Sequence, residues 1–599
     1  MKEAWSVPIT TGQITIESFL TLFQEMSRKK EAAGIQAIQN NPPDLLERAK
    51  PYGVQYKNGS WGWSSNIWNR SAANTEVIDS DHELRPEHRY LMLRVLEHML
   101  CRPMIQADAN LGSPGSPVEM RCRLFCDPQF PDIAYRWQQL NFPGDPQAEP
   151  DAQLFFIPHF LENPGLPDKP NTMLRVLRFP FQNYTIVVGS SYQGEVKKGF
   201  LSHWIYHCYQ QGGTGEHASL REFTVERGDS SKKRIVMGVW GLTGSGKSTH
   251  GLYIFNRSIT EPYYKEKFGL DLGSYVTQQA IKNDDITCWF EDRAYSPEQG
   301  AWTKTEDVDE KQVAIWRAAR SSRALHENTE WDEEGDVSFE GKRLQYHGAY
   351  NANARTVMQL EDTKYFDGSV DSSAPPNMAV FISPGYVTDY AWLRIQDPYF
   401  AAKVLADGRT VGHPADSKEG VGEVKYVSRY CHPFTMGAGN AEHVHRFLGY
   451  LLNRQGTDNP IDDYQINTTG KIGAKYEWTT MTMEEEEHQI PRVVLKEKQG
   501  RKRPVGGTDP TIEETELFLI QAARGVVQYE PHPIWGEKVL MPVEVPGLSK
   551  QRLAELNPFT YRTYEEMDVL LQAQILMSKH YLSLQCPGIA RDIYYAMDY

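Results

Sequence analysis

The sequence predicts an α/β fold in two lobes. The first observation is an apolar, β-prone run at residues 234–240 that enters a glycine-rich segment, after which residues 248–255 can open a helix. A strand that passes through a glycine-rich turn into a helix is typical of α/β domains. The second observation is size: 599 residues suggest about three to four domains or, equally, two large ones, and 40% hydrophobic and 11% aromatic content is enough for sizeable cores.

The composition excludes several classes of protein. A net charge of -15 argues against a nucleic-acid partner, because phosphate contacts need a basic surface. Seven cysteines without a Cys-x-x-Cys pair do not make a disulfide scaffold, which favours a reduced compartment. The N-terminus lacks the apolar core of a signal peptide, and no run reaches the ~18 apolar residues of a membrane span. We therefore expect a soluble, cytoplasmic protein with no nucleic-acid partner and no membrane segment.

The elements along the chain follow from hydrophobic periodicity and turn residues. Helices are predicted at residues 16–26, 86–100, 200–209 and 564–584. Strands are predicted at residues 104–108, 119–125, 184–189, 285–290 and 378–383. The aromatic segment at residues 56–68 lacks periodicity and is predicted to be a loop. The polar segment 226–233 is predicted to be a hinge between an N-terminal lobe, residues 1–227, and a C-terminal lobe, residues 228–599.

Residues 241–248 read Gly-Leu-Thr-Gly-Ser-Gly-Lys-Ser, which is the pattern of a phosphate-binding loop. Its glycines let backbone N–H groups surround phosphate oxygens, and the helix N-terminus adds partial positive charge. We expect Lys247 to reach the β- and γ-phosphates and Ser248 to place its hydroxyl on Mg²⁺. The predicted nucleotide-binding residues are Gly241, Leu242, Thr243, Gly244, Ser245, Gly246, Lys247, Ser248 and Thr249.

Phosphoryl chemistry also needs an acid at the end of a neighbouring strand, where it can hold a metal ion. The apolar run at residues 285–290 ends at Glu291 and Asp292. We predict that Asp292 is this metal-binding acid.

Further segments are informative through their order. Residues 69–71 read Asn-Arg-Ser, residues 193–199 read Gln-Gly-Glu-Val-Lys-Lys-Gly, and residues 541–547 read Met-Pro-Val-Glu-Val-Pro-Gly. His217 and an Asn-x-Arg that ends at Arg355 lie between them. With the phosphate loop, this order resembles the phosphoenolpyruvate carboxykinase family, most closely its ATP-using branch. That family carries an early Arg-Ser-Pro, Gly-Gly-Glu-Met-Lys-Lys-Gly, and Gly-Leu-Ser-Gly-Thr-Gly-Lys-Thr-Thr. The resemblance runs loosely from about residue 60 to the C-terminus and is specific around residues 190–250.

The resemblance implies a two-lobed fold with the phosphate loop in the C-terminal lobe and the active site in the interlobe cleft. It implies that Mn²⁺ is held by Lys198, His217 and Asp292, with Ser248 on a second cation, Mg²⁺. Arg70 would grip a substrate carboxylate, and Arg355 would bridge the substrate and the γ-phosphate of ATP. Tyr192 and Lys197 would line the CO₂ end. The implied catalytic residues are Arg70, Tyr192, Lys197, Lys198, His217, Lys247, Asp292 and Arg355.

The activity that the resemblance implies is metal-dependent decarboxylation of oxaloacetate with phosphoryl transfer from ATP. The products would be phosphoenolpyruvate, ADP and CO₂, as in gluconeogenesis. A first alternative is a related small-molecule kinase that phosphorylates a hydroxy acid or other acceptor without decarboxylation. A second alternative is a nucleotide-binding regulator without turnover.

The sequence also departs from the family. The family has two acids followed by Glu-His-Gly-Trp, whereas Glu291 and Asp292 are followed by Arg-Ala-Tyr, and a tryptophan returns only at Trp302. The interval from Lys247 to Asp292 is longer than in the family, and Ala72 replaces the early proline. These departures leave open the phosphoryl donor (ATP, GTP or pyrophosphate) and the acceptor. The oligomeric state and the roles of residues 1–50 and 484–505 are also open.

Overall fold

The structure is a computed structural model. It describes residues 9–65, 74–159, 174–241, 245–305, 308–340, 354–383, 389–411, 424–426, 440–468, 471–473 and 507–599. The helices are α1 (Ile16–Ala32), α2 (Leu45–Ala49), α3 (Pro86–Cys101), α4 (Pro131–Leu140), α5 (Gln193–Gln210), α6 (Lys247–Gly251), α7 (Thr260–Phe268), α8 (Leu272–Tyr275), α9 (Val313–Ala319), α10 (Pro398–Ala406), α11 (Asn440–Arg454), α12 (Ile512–Arg524), α13 (Lys550–Glu555), α14 (Tyr564–Gln585) and α15 (Arg591–Tyr594). Among the described helices, none has both the length and the apolar character that a membrane crossing requires.

Short strands alternate with these helices, so the predicted α/β class is confirmed. The strands are β1 (Ile38–Asn40), β2 (Val54–Gln55), β3 (Trp61–Trp63), β4 (Thr75–Val77), β5 (Met104–Leu111), β6 (Met120–Cys126), β7 (Phe142–Pro143), β8 (Ala152–Ile157), β9 (Arg175–Phe179), β10 (Tyr184–Val188), β11 (Thr214–Glu216), β12 (Ala218–Glu226), β13 (Lys232–Trp240), β14 (Val276–Asn283), β15 (Thr287–Trp289), β16 (Ala294–Tyr295), β17 (Gly300–Lys304), β18 (Leu325–Glu327), β19 (Glu330–Trp331), β20 (Val337–Ser338), β21 (Arg355–Gln359), β22 (Met378–Ile382), β23 (Trp392–Ile395), β24 (Arg409–Val411), β25 (Val424–Tyr426), β26 (Asp462–Ile466), β27 (Gln528–His532) and β28 (Gly536–Glu544).

The first large sheet has the strand order β1-β5-β6-β8-β10-β9-β4, and β7 pairs with β5. Strands β6, β8 and β10 are parallel neighbours, so their carboxyl ends lie at one edge of the sheet. Apolar side chains cover both faces. Phe23 of α1 and Leu96 of α3 pack on one face, and Trp137 of α4 and Trp204 of α5 pack on the other. Helix α5 begins just beyond the carboxyl end of β10.

The second large sheet has the order β14-β12-β13-β22-β26-β23-β28-β27. Its central strands β13, β22 and β26 are parallel. Phe400 of α10 and Phe447 of α11 fill the core on one face, and Phe518 of α12 fills the core on the other. Ligands of open α/β sheets bind beyond the carboxyl ends of such parallel strands. The predicted phosphate loop leaves the sheet at this edge, where β13 ends.

Two smaller sheets bring distant segments together. In the sheet β11-β15-β16, Glu216 lies opposite Thr287, so the antiparallel pairing places His217 beside the residues that precede β15. In the sheet β17-β21-β18-β3-β2, Arg355 lies between Lys304 of β17 and Glu327 of β18. These pairings bring His217 to the start of β15 and bring Arg355 between β17 and β18.

Most predicted helices and strands are present, but two segments differ. The predicted loop at residues 56–68 contains β3, which is held by pairing with β2 and β18. Helix α5 begins at Gln193 rather than at residue 200. Two glycines lower the helix propensity of residues 193–199. Gly199 permits close packing, because a Cβ there would lie 2.4 Å from Leu154 Cδ1.

The predicted hinge at residues 226–233 is the turn of a β-hairpin. Strands β12 and β13 pair antiparallel along their full length, from Ala218 opposite Trp240 to Glu226 opposite Lys232. The strands on both sides of the predicted boundary at residue 227 therefore belong to one sheet, and the hinge interpretation is wrong. Small polar residues serve a tight hairpin turn as well as a hinge, so the composition could not separate the two. The division into two lobes stays a prediction.

Helix α6 packs closely on β12 at Gly251. A Cβ at this position would lie 1.8 Å from Ser219 Oγ and 2.3 Å from Ser219 Cβ. We predict that Gly251→Ala displaces α6 and destabilises the protein by about 1–3 kcal/mol, because overpacking forces its neighbours to move. The midpoint of thermal unfolding measures this loss.

The matched control is Gly449→Ala in α11, where nothing lies within 4 Å of the added Cβ. Alanine is favoured over glycine inside a helix by up to about 1 kcal/mol, so this variant should not lose stability. A Gly251→Ala protein that unfolds at the wild-type temperature would contradict the close packing of α6 on β12.

Candidate active site

The predicted phosphate loop joins a strand to a short helix. Strand β13 ends at Trp240, and α6 begins at Lys247. Gly246 has a φ of 97°, a left-handed conformation that glycine adopts without steric cost. The Thr468 hydroxyl donates a hydrogen bond to the Ser245 carbonyl at 2.5 Å and so ties the loop to the end of β26. Of the predicted loop residues, Leu242, Thr243 and Gly244 lie outside the described residues.

Three of the predicted site residues contact the carboxylate of Asp285. Lys197 Nζ donates to Asp285 Oδ2 at 2.6 Å, and His217 Nε2 lies 3.0 Å from Oδ1. Lys247 Nζ donates to Oδ1 and, at 3.0 Å, to the Asp285 carbonyl oxygen. The three partners come from α5, from the end of β11 and from α6. Folding therefore brings them together although they are 88, 68 and 38 residues from Asp285 in sequence.

This pairing sets the protonation of the cluster. Burial alone would raise the pKa of Asp285, but Lys197, Lys247 and the His217 ring hold it well below its ordinary value. The pKa of His217 is lowered to about 4, first by burial and then by Lys247. Near pH 7 Asp285 is therefore an anion and His217 a neutral imidazole. These are the protonation states in which both can ligate a metal ion.

Lys197 lies between two carboxylates. Its Nζ is 2.6 Å from Asp285 Oδ2 and 3.1 Å from Glu298 Oε2. Burial alone would lower the pKa of Lys197, but these two anions raise it above its ordinary value. Burial raises the pKa of Glu298 to about 7, against the opposing effect of Lys197. The next residue, Lys198, lies close enough to contribute to the lowered pKa of His217.

Asp284 is buried beside the phosphate loop. Its Oδ2 accepts a hydrogen bond from Thr303 Oγ1 at 2.6 Å. Burial raises the pKa of Asp284 above its ordinary value, against Lys247 and the hydroxyls of Thr303 and Ser248. Its Oδ1 is buried and has no hydrogen-bond partner among the described residues. A carboxylate oxygen of this kind beside a serine hydroxyl suits Mg²⁺, which prefers oxygen ligands.

Trp302 forms a platform for three further residues. Its ring centroid lies 5.5 Å from the ring of Tyr192, 5.7 Å from Lys197 Nζ and 5.3 Å from the Arg355 guanidinium. The charge of Arg355 also acts on the Tyr192 hydroxyl and lowers its pKa, against the larger effect of burial. Burial raises the pKa of Tyr192 above its ordinary value, so the hydroxyl stays protonated near neutral pH. Cation–π contacts of this type fix the position of the two cationic groups.

Asp292 lies apart from this cluster, which corrects the predicted metal ligand. Its side chain is 71% exposed, and its ion-pair partner is the neighbouring Arg293, 3.7 Å away. Asp292 stands in the turn between β15 and β16, at the opposite end of β15 from Asp285. The acid beside His217 and Lys247 is therefore Asp285.

A sequence signal for this acid was present. Residues 284–289 read Asp-Asp-Ile-Thr-Cys-Trp, and the family resemblance requires two acids followed by Glu-His-Gly-Trp. Trp289 stands at the tryptophan position of that motif, whereas Ile286 and Thr287 replace the Glu-His pair. No comparable motif marks Glu298 or Trp302, which became visible only through their contacts.

Two further parts of the predicted site are Arg70 and the ligands of Mn²⁺. Arg70 lies outside the described residues. Within the described part of the chain, no group of three or more His, Cys, Asp or Glu side chains is arranged to hold a metal ion. The predicted Mn²⁺ ligands were Lys198, His217 and Asp292; with Asp285 in the place of the exposed Asp292, the set combines one imidazole and one carboxylate with the amine of Lys198. An amine ligand must be neutral, so this set needs a depressed pKa at Lys198.

Comparison with known proteins identifies the family of the chain. A family model for phosphoenolpyruvate carboxykinase matches residues 79–383, just over half of the chain. The chain belongs to this family. The match contains α5, the phosphate loop, Asp285 and Arg355, all of the described cluster.

Curated relatives named "Phosphoenolpyruvate carboxykinase (ATP)" are similar at low identity. The protein of Staphylococcus aureus (strain bovine RF122 / ET3-1) is 25% identical over 240 residues, 40% of this chain and 37% of the relative. That of Sulfurimonas denitrificans is 25% identical over 202 residues, 34% of this chain and 31% of the relative. That of Aeropyrum pernix is 27% identical over 202 residues, 34% of this chain and 36% of the relative. The chain thus matches about a third of each relative's length. Its low identity to these relatives shows that it is a divergent member of the ATP type.

We predict that Asp285→Asn lowers the rate of ADP formation from ATP in the presence of oxaloacetate by about 10²–10³-fold. The reason is that an amide cannot neutralise Lys197 and Lys247 or hold a cation as the carboxylate does. Steady-state assays of purified variants measure the rate.

Asp292→Asn is the matched control, because it makes the same change in an exposed carboxylate. Its rate should stay within about twofold of wild type, as expected for a surface substitution away from the reacting groups. Equal losses in the two variants, or a larger loss in Asp292→Asn, would contradict the assignment of Asp285.

Proposed function

We propose that this protein is an ATP-dependent phosphoenolpyruvate carboxykinase-like enzyme. It decarboxylates oxaloacetate and transfers the γ-phosphoryl group of ATP to the resulting enolate. The products are phosphoenolpyruvate, ADP and CO₂. The active site lies between α5 of the first sheet and the phosphate loop of the second. The observation that carries the proposal is the convergence of Lys197, His217 and Lys247 on Asp285.

The phosphate loop binds the phosphates of ATP. Its backbone N–H groups and the N-terminus of α6 surround the phosphate oxygens, and Lys247 reaches the β- and γ-phosphates. To do so Lys247 exchanges its hydrogen bonds with Asp285 for bonds to phosphate. Ser248 and Asp284 would hold Mg²⁺, and His217, Asp285 and Lys198 would hold Mn²⁺. When bound, these cations supply positive charge that offsets the charge on the transferring phosphoryl group and the enolate.

Residues at the other end bind the acid. Arg70 grips a carboxylate of oxaloacetate, and Tyr192 and Lys197 line the space that CO₂ leaves through. The C–C bond to the departing carboxylate breaks, and its electron pair forms the enolate. The enolate oxygen attacks the γ-phosphorus, the bond to the β-phosphate oxygen breaks, and ADP leaves. Arg355, held against Trp302 and Tyr192, neutralises charge on the γ-phosphoryl oxygens. Enclosure of the site excludes water, which would otherwise protonate the enolate or accept the phosphoryl group.

The first alternative is a small-molecule kinase that phosphorylates a hydroxy acid or other acceptor. The replacement of the family's Glu-His by Ile286 and Thr287 favours it, because it removes two ionisable side chains beside the metal-binding acid. The retention of Arg70, of Tyr192 immediately before α5 and of Lys198 on α5 favours decarboxylation. A non-catalytic nucleotide-binding regulator is the second alternative, and the buried, charged cluster around Asp285 argues against it.

A coupled assay separates these functions. Purified protein is given Mn²⁺, Mg²⁺ and ATP with each of a panel of keto acids and hydroxy acids, and ADP and CO₂ are both measured. GTP and pyrophosphate replace ATP in parallel, and Lys247→Ala is the control without turnover. ADP and CO₂ in equal amounts with oxaloacetate support the proposal. ADP without CO₂ supports the kinase, and the absence of ADP with every acid leaves the regulator.

The substitution Arg70→Lys tests how the acid is bound. A guanidinium offers a planar fork that matches a carboxylate in bidentate fashion, and an ammonium group cannot reproduce it. We predict that kcat/KM for oxaloacetate falls by about two orders of magnitude, since roughly 2–3 kcal/mol is at stake in a charged hydrogen-bonded contact. The Kd for the nucleotide, measured by titration calorimetry, should change by less than about twofold, because Arg70 contacts no phosphate in this proposal.

With an uncharged acceptor the same substitution should have little effect, so it also discriminates against that kinase. A variant that loses nucleotide binding but keeps its use of oxaloacetate would refute the placement of Arg70.

A further inference from the structure

Glu327 is a buried carboxylate at the end of β18 whose function the reaction itself does not explain. It is 1% exposed. Its Oε1 accepts a hydrogen bond at 3.0 Å from the backbone N–H of Gln193, the first residue of α5. The same oxygen lies 3.1 Å from Arg136 Nη1 of α4. Glu327 is therefore bound to two different helices.

Glu327 also fixes the strand that carries Arg355. In the antiparallel ladder of β18 and β21, Glu327 lies directly opposite Arg355. The Arg355 guanidinium and the ring of Tyr192, which immediately precedes α5, both contact the ring of Trp302. The contacts form a closed ring that runs from Glu327 to Gln193, through Tyr192 and Trp302 to Arg355, and back across the ladder to Glu327.

The positive charge around position 327 favours a carboxylate there over a neutral side chain. The N-terminus of an α-helix carries partial positive charge, so an anion at the Gln193 N–H is favoured. Arg136 supplies a full positive charge beside it and is itself buried, 1% exposed. Arg136 Nη2 also donates a hydrogen bond to Asp132 Oδ2 at 2.8 Å. Because Arg136 has this second anion, a neutral residue at position 327 would not leave the guanidinium without a counter-charge.

We propose that Glu327 is a positioning residue for the reaction. It fixes the start of α5, and with it Tyr192, Lys197 and Lys198, relative to Arg355 on β21. The inference rests on the proposed function, because α5 carries the acid-binding residues and Arg355 carries the phosphoryl-binding charge. Glu327 touches neither substrate. It acts by holding the residues at the start of α5 in a fixed position relative to Arg355.

The test is Glu327→Gln in the full-length protein, with two readouts. The first is hydrogen exchange of the backbone amides of residues 190–199, measured by mass spectrometry. We expect exchange at Gln193 to be at least tenfold faster, because a neutral amide oxygen binds the helix N-terminus more weakly. The second is steady-state kinetics with oxaloacetate and ATP. We expect kcat to fall at least tenfold while KM for ATP stays within twofold, because the phosphate loop is untouched.

Glu222→Gln is the matched control. Glu222 of β12 is also buried, accepts a backbone N–H, that of Ser373 at 2.5 Å, and pairs with one arginine, Arg234, at 3.0 Å. It contacts no part of α5 or β21 that the structure describes. We expect neither exchange at Gln193 nor kcat to change in this variant, even if its unfolding temperature falls.

Faster exchange at Gln193 together with a selective loss of kcat supports the proposal. Unchanged exchange, or faster exchange with wild-type kcat, overturns it. So does an equal loss of kcat in Glu222→Gln, which would show a general effect of removing a buried charge. A wild-type protein that forms no ADP with oxaloacetate refutes the proposed function instead, and exchange at Gln193 then still decides whether Glu327 holds α5.

Discussion

The site depends on the shared carboxylate of Asp285. A buried anion is stable only when cations and hydrogen-bond donors replace the water that it has lost. Lys197, His217 and Lys247 provide these partners and come from three separate elements. Each element is consequently fixed relative to the other two before a ligand binds. Fixed charges that need little reorganisation are the main source of transition-state stabilisation in phosphoryl transfer.

The ion pair between Lys247 and Asp285 links the proposed nucleotide site to the proposed acid-binding site. Lys247 bonds to Asp285 in this structure, so a phosphate group must compete with that carboxylate for the ammonium group. When Lys247 turns to phosphate, Asp285 loses one of its positive partners. A divalent cation beside His217 can restore the balance. Binding of the nucleotide and of that cation is therefore expected to be mutually favourable, because each compensates a charge that the other leaves unpaired.

The sequence singled out three members of the buried cluster but not the residue that joins them. Short motifs, which fix local backbone and residue type, marked Lys197, His217 and Lys247, and the structure brings these three together. Asp285 was missed in favour of Asp292, because the two acids flank the same apolar run and only strand pairing shows that the start of β15 lies beside His217. The hairpin at residues 226–233 was taken for a hinge for a similar reason. Glu327 and Trp302 act through contacts between distant strands, which no local pattern records.

Anomalous diffraction at the manganese edge is the most direct test of the central claim, which is that Asp285 and His217 form one metal site beside the phosphate loop. Crystals grown with Mn²⁺ and a non-hydrolysable ATP analogue are suitable. The account predicts an anomalous peak within bonding distance of both His217 Nε2 and the Asp285 carboxylate. A peak at Asp292, or bound analogue with no manganese at His217 and Asp285, would contradict it.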